Sequence, residues 1–189
     1  MGMERPDRPR IFGIGLNKTG TTSFHRAMTI LGFESLHWGG PPIRRLVEAA
    51  ADAGEPLLAG LDPRFDAFSD IEALSTRFQL LDEQYPGSHF VLTVRPIDDW
   101  IDSRRRHVEN NVRRKAAGEY DGNFLVVDED QWRTHWESHV ARVRDYFACR
   151  ADFLEIDITN GGGWRPFAEL LGVAEPDVPF PWVNPGSRG

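Results

Sequence analysis

The feature that most limits what this chain can fold into is the join at residues 11–28, IFGIGLNKTGTTSFHRAM, where an apolar run breaks into glycines and then resumes with helical spacing. Ile11 to Leu16 reads as a buried strand, and Phe24, Met28 and Leu31 fall on one face of the helix that follows. A glycine-rich turn between strand and helix points successive backbone N–H groups, and the positive end of the helix dipole, at a bound anion. From Gly15 to Gly20 the spacing G-x-x-x-x-G is that of a Walker A phosphate loop, yet Thr21 stands where that motif has its lysine and Lys18 comes three residues early. No apolar strand ending in a magnesium-binding Asp accompanies it, so the machinery for a triphosphate and its metal is incomplete. The loop reads as the holder of a shorter anion.

The rest of the chain repeats the alternation. Residues 41–54 form a helix with Leu46, Val47 and Ala50 on its apolar stripe, and FDAFSDI, residues 65–71, is a short strand. Leu74, Phe78, Leu81 and Tyr85 recur at helical spacing, HFVLTVR over 89–95 is a buried strand, and another helix begins near Ile97. Residues 116–127 are an irregular connection. Asp128 and Gln131 resemble a capping box that opens a helix with Trp132, Trp136, Val140, Val143 and Phe147 on its core face. DFLEIDI supplies a last strand, and WRPFAELLG a last helix ending at Gly172. Strands alternating with helices predict an α/β fold, a P-loop-type central parallel sheet flanked by helices on both faces, with its site at the carboxyl ends of the strands. At 189 residues one core is expected, with residues 1–10 a flexible N-terminus and 11–189 a single domain.

Charge narrows the partners. A net charge of -7 argues against a nucleic-acid or anionic-membrane surface, so positive charge is expected only in a local pocket. Lys18 and Lys115 are the only lysines among 22 basic residues, which suits Lys18 to a place where a compact ammonium fits and a wide guanidinium does not. The single cysteine, Cys149, offers neither a disulfide nor a cysteine-based metal site, and no metal is expected. The opening MGMERPDRPR is too polar for a signal peptide, and no apolar run approaches the roughly 20 residues of a membrane span. A cytoplasmic protein is expected.

GLNKTGTTSFHRAM resembles the 5′-phosphosulfate loop of the sulfotransferases, whose usual form is P-K-[ST]-G-T-T and whose donor is 3′-phosphoadenosine 5′-phosphosulfate (PAPS), with 3′-phosphoadenosine 5′-phosphate (PAP) as product. The resemblance implies that Lys18 reaches the bridging oxygen and the sulfonate while Thr19, Gly20, Thr21 and Thr22 cradle the 5′-phosphate. FVLTVRPIDDWIDSRRRH is similar to the family's 3′-phosphate motif, an Arg ending a strand and a Ser eight residues on in the next helix; here they are Arg95 and Ser103. A guanidinium fork and a hydroxyl about two helical turns apart can converge on one phosphate. LGFESLHW, FDAFSD and the segment from Gly163 to Asn184 resemble a bacterial subgroup of the family, so the similarity covers nearly the whole chain. Two departures stand out. Ser23 occupies the place where many relatives carry an adenine-stacking aromatic, and no Arg-Lys-Gly segment follows near the C-terminus. Arg104, Arg105, Arg106 or Arg165 could substitute for it, although residues 104–106 read first as a solvated helix face. Arg113, Arg114 and Lys115 precede the irregular connection and are candidates for a lid.

The chemistry implied is one in-line displacement, in which an acceptor hydroxyl or amine attacks sulfur opposite the bridging oxygen. Lys18 serves the leaving side without a metal. Asp70, at the end of FDAFSD, is the expected base and His37 the second candidate; capping of the next helix is the structural role open to Asp70. A small molecule or a glycan is the expected acceptor. Two other readings remain, a P-loop nucleotide-dependent phosphotransferase and a non-catalytic nucleotide-binding member of the fold.

Overall fold

A computed structural model describes residues 9–161 and 163–183. Its centre is a five-stranded sheet, all parallel, in the order β2-β3-β1-β4-β5. The strands are β1 (Ile11–Gly13), β2 (Ser35–His37), β3 (Ala67–Ser69), β4 (His89–Thr93) and β5 (Phe153–Ile156). The helices are α1 (Thr21–Ile30), α2 (Gly40–Ala53), α3 (Glu72–Ser75), α4 (Phe78–Gln84), α5 (Ile97–Ala116), α6 (Glu129–Tyr146) and α7 (Trp164–Leu171).

Side-chain alternation along the strands divides the core into two layers. Phe12 points to one face, where its ring stacks 5.4 Å from both Phe68 and Phe90, its register partners on β3 and β4. Val47 of α2, Leu74 of α3, Phe78 and Leu81 of α4, and Val140 and Val143 of α6 cover that face. Ile11 points to the other, beneath Phe24, Ala27 and Met28 of α1 and Trp164 and Phe167 of α7. A third cluster, Leu16, Trp100, Ile101, Val108 and Trp132, packs α5 and α6 beneath the loop after β1.

Several elements differ from the sequence reading. β2 was not expected: Ser35, Leu36 and His37 make no apolar run, and only pairing to β3 at the sheet edge extends them. The stripe from Leu74 to Tyr85 is two helices, because the chain leaves helical geometry at Arg77, where φ is -108°. Leu46, counted on the core stripe of α2, is 42% exposed. DFLEIDI pairs only as far as Ile156, and a single 3-10 turn, Ile158–Asn160, follows under the cap of Asp157. Asp128 caps α6 as expected, accepting from Gln131 N–H at 3.0 Å. Of the expected flexible N-terminus, residues 1–8 lie outside the described residues, while Arg10 belongs to the fold: its carbonyl accepts from His89 N–H at 2.8 Å.

Parallel strands bring all their carboxyl ends to one edge. Along it, in sheet order, stand His37 at the end of β2, Asp70 after β3, the glycine-rich loop after β1, Arg95 after β4 and Ile158 after β5.

Candidate active site

The loop after β1 is held by its carbonyls. His139, buried on α6, donates from Nε2 to Ile14 O at 2.8 Å; Thr19 Oγ1 donates to Leu16 O at 2.5 Å. Trp100 Nε1–H of α5 donates to Asn17 O at 2.7 Å, and an Arg95 N–H to Lys18 O at 3.2 Å. Four loop carbonyls are thus tied by side chains, and Gly15 to Lys18 and Gly20 to Ser23 help to line a cavity of about 1530 Å³, to which a turn of this kind offers its peptide N–H groups. The first N–H groups of α1 join them, since a helix's first turn has no acceptors of its own. Gly20 caps that helix in the left-handed region, φ 98°, and no side chain caps it, which leaves those donors open.

Gly15 has no room for a side chain. A Cβ there would overlap Thr93 Oγ1, lie 2.5 Å from the Thr93 carbonyl oxygen and 2.9 Å from Thr19 Oγ1. Gly15→Ala is therefore expected to lose about 1–3 kcal/mol of stability, read as a fall of several degrees in thermal midpoint against an alanine substitution at the open Gly163. An unchanged midpoint would contradict the close approach of loop and β4.

Three of the four non-glycine residues with positive φ among the described residues line this cavity: Lys18 at 68°, Trp38 at 60° and Asp70 at 58°. Each such residue costs about 1 kcal/mol or more, and strain gathered at one cleft marks a place where position matters more than stability. Asp70 does not cap the next helix. Ile71 is the N-cap of α3 and no side chain bonds there. Instead one Asp70 oxygen lies 3.8 Å from His37 Nε2, and the other is buried without a partner. Burial pushes the Asp70 carboxyl up to about 6, against the pull of Lys18 and a hydrogen bond from Thr21. His37 is pushed the other way, down to about 4, by burial first and then by His25 and Lys18. Its Nδ1 lies 3.0 Å from Ser69 Oγ and its Nε2 3.4 Å from Thr22 Oγ1. At neutral pH the pair is an ionised carboxylate beside a neutral imidazole. Burial also holds the Lys18 ammonium below the usual lysine range, with Asp70 opposing the drop and Arg104 adding to it.

Arg104 corrects the expectation of a solvated helix face at residues 104–106. Its guanidinium lies 4.8 Å from the ring centroids of Trp100, Phe124 and Trp132, and it donates to Asn17 Oδ1 at 2.6 Å. The stack joins the loop to α5, α6 and the connection that carries Phe124. Arg105 is paired with Asp102 and Glu129 instead, and Arg165 with Glu169 outside the cavity. Arg106 and Arg114 line the cavity; Arg113 and Lys115 do not.

The fold brings Lys18, Gly20, Thr21, Thr22, His37, Asp70, Arg95 and Ser103 around one cavity. Thr19 is the exception among the expected residues. Its hydroxyl is buried beneath the loop, bonded to Leu16 O and 2.7 Å from Thr93 Oγ1, so only its backbone N–H is left for a ligand. Asn17, Thr93, Trp100, Arg104 and His139, which shape the loop, were not recognised in the sequence as its supports. No local pattern marks them, because Thr93, Trp100, Arg104 and His139 reach the loop from other elements and Asn17, within it, is fixed only by Trp100 and Arg104. Asn184, part of the resemblance, lies outside the described residues. No group of three or more His, Cys, Asp or Glu among the described residues is disposed to hold a metal, and no described helix is long and apolar enough to cross a membrane.

Fold and loop together define a parallel α/β protein whose first strand-to-helix turn presents an array of backbone donors to a cleft, with an ammonium in the turn and a carboxylate facing it. A family profile described as a sulfotransferase domain matches residues 10–120 and 110–188, and the chain belongs to that family. No curated protein matches it significantly.

Proposed function

We propose that the protein transfers a sulfonate group from PAPS to a hydroxyl or amine. The observation that carries the reading is the position of Lys18 and the donor array between Asp70 on one side, after β3, and Arg95 on the other, after β4. An in-line displacement needs a base and a leaving-group site on opposite sides of the transferred atom. Asp70 takes the proton of the acceptor as the acceptor oxygen or nitrogen forms its bond to sulfur. The bond from sulfur to the bridging oxygen breaks, and its electron pair stays on the 5′-phosphate of PAP. There the Lys18 ammonium and the N–H groups of the loop and of the first turn of α1 stabilise the charge. His37, neutral at this pH, orients the acceptor or Asp70 rather than acting as the main base. Arg95 and Ser103 serve the 3′-phosphate. A cavity of about 1530 Å³ exceeds the roughly 300–1000 Å³ usual for one small ligand, so nucleotide and acceptor have room together.

Titration calorimetry with PAP is expected to give one site per chain, with an affinity that added magnesium leaves unchanged. Arg95→Ala should weaken it by about tenfold or more. A parent protein that ignores millimolar PAP, or that turns over ATP with magnesium, would overturn the reading in favour of a phosphotransferase or a non-catalytic member of the fold.

A further inference from the structure

After α7 the chain runs back toward the start of α1. Phe180 is fixed there by two rings, Trp164 edge-on at 4.9 Å and Phe167 stacked at 5.7 Å. Three residues on, Val183 N–H donates at 3.0 Å to the hydroxyl of Ser23, which is 1% exposed in the first turn of α1. Between these fixings Trp182 N–H bonds to Phe180 O at 2.8 Å. Trp182 is thus pinned from both sides, yet it stays 47% exposed and forms part of the cavity wall. An indole kept uncovered by a restrained backbone forgoes the burial that a flat ligand would restore.

The first turn of α1 sorts what surrounds it. Thr21 and Thr22 meet Asp70 and His37. Gly20 and Ser23, three residues apart and so on a common face, meet other partners. Gly20 lies against Ile158, to which a Cβ would stand at 3.2 Å, and Ser23 holds the tail. Trp182, Ile158 and Thr159 therefore belong to a part of the wall apart from the base, next to the backbone donors for the 5′-phosphate. A nucleotide anchored on those donors has its base to place, and Ser23 itself offers no ring.

We propose that Trp182 is the platform on which the purine base of the donor nucleotide stacks, with Ile158 and Thr159 beside it on the same wall. The inference rests on the donor reading above and deepens it by naming the group that recognises the base. Base-on-aromatic stacking is lost in an alanine variant and largely kept in a phenylalanine one.

In calorimetry on the full chain, Trp182→Ala is expected to raise the dissociation constant for PAP by about 10- to 100-fold, and Trp182→Phe by no more than about threefold. Inorganic pyrophosphate, which has no base, should bind the parent and Trp182→Ala alike. PAP should quench indole emission of the parent more strongly than that of Trp182→Phe. If Trp182→Ala binds PAP as the parent does, or loses PAP and pyrophosphate equally, the stacking role is overturned while the donor reading stands. A parent that binds pyrophosphate and not PAP overturns both.

Discussion

Asp70→Asn is expected to lower the turnover number by about 10²- to 10⁴-fold, the usual worth of a positioned general base, and at the same time to make the protein more stable. The two effects share one cause. The unfolded carboxyl titrates near 3.8 and the folded one near 6, because burial disfavours its charge. Between those values the folded state keeps a proton that the unfolded state releases, so stability falls as pH rises from about 4 to 6 and is level above. The shift corresponds to at most about 3 kcal/mol of strain from an ionised, buried carboxylate at pH 7. Asparagine keeps the shape, tolerates the left-handed backbone at φ 58° and carries no charge. Its thermal midpoint should thus exceed the parent's at pH 7, and the gap should close below pH 4. The parent's rate should rise with pH to a plateau with a midpoint near 6. A midpoint near 4 would point instead to His37 as the base, and an Asp70→Asn variant that transfers at the parent rate would remove Asp70 from the reaction.

Lys18→Ala is expected to reduce transfer by about 10²- to 10³-fold, comparable to removal of one preorganised donor at a developing negative charge, while PAP affinity falls by less than about tenfold. The split arises because the loop stays in place: its carbonyls are tied by His139, Trp100, Thr19 and Arg95 through bonds that run to the backbone and not to the lysine ammonium. Lys18→Gly sharpens the test. Glycine relieves the positive φ of 68° and is expected to stabilise the fold by about 1 kcal/mol, yet it should be as poor in transfer as alanine. Single-turnover rates with calorimetry on the same variants separate the two effects. Equal losses in rate and affinity would make Lys18 a general anchor, and an unchanged rate would exclude it from the leaving-group side.

Much of the site was legible because it is local. The turn from Gly15 to Thr22 declares itself by its glycines and by the switch from strand to helix spacing, and Arg95 and Ser103 by their places across the next strand and helix. β2 was not legible, since three half-buried residues carry no period, nor was the break at Arg77 within a continuous apolar stripe. Arg104 misled for a related reason: three arginines in a row on a charged helix look solvated, and only the docking of Trp132 and Phe124 makes a cage for the first of them.

By itself the sequence determined the alternation of strands and helices apart from β2 and the break at Arg77, the donor-rich turn and the scarcity of lysine that singles out Lys18, because each depends on neighbours within a few residues. Tertiary structure alone decided which way the loop carbonyls face, that Asp70 is buried beside His37 rather than capping a helix, and that Trp182 lies on the cavity wall. Those outcomes are set by contacts between residues far apart in the chain, such as Ile14 with His139 and Ser23 with Val183, whose geometry no local periodicity encodes.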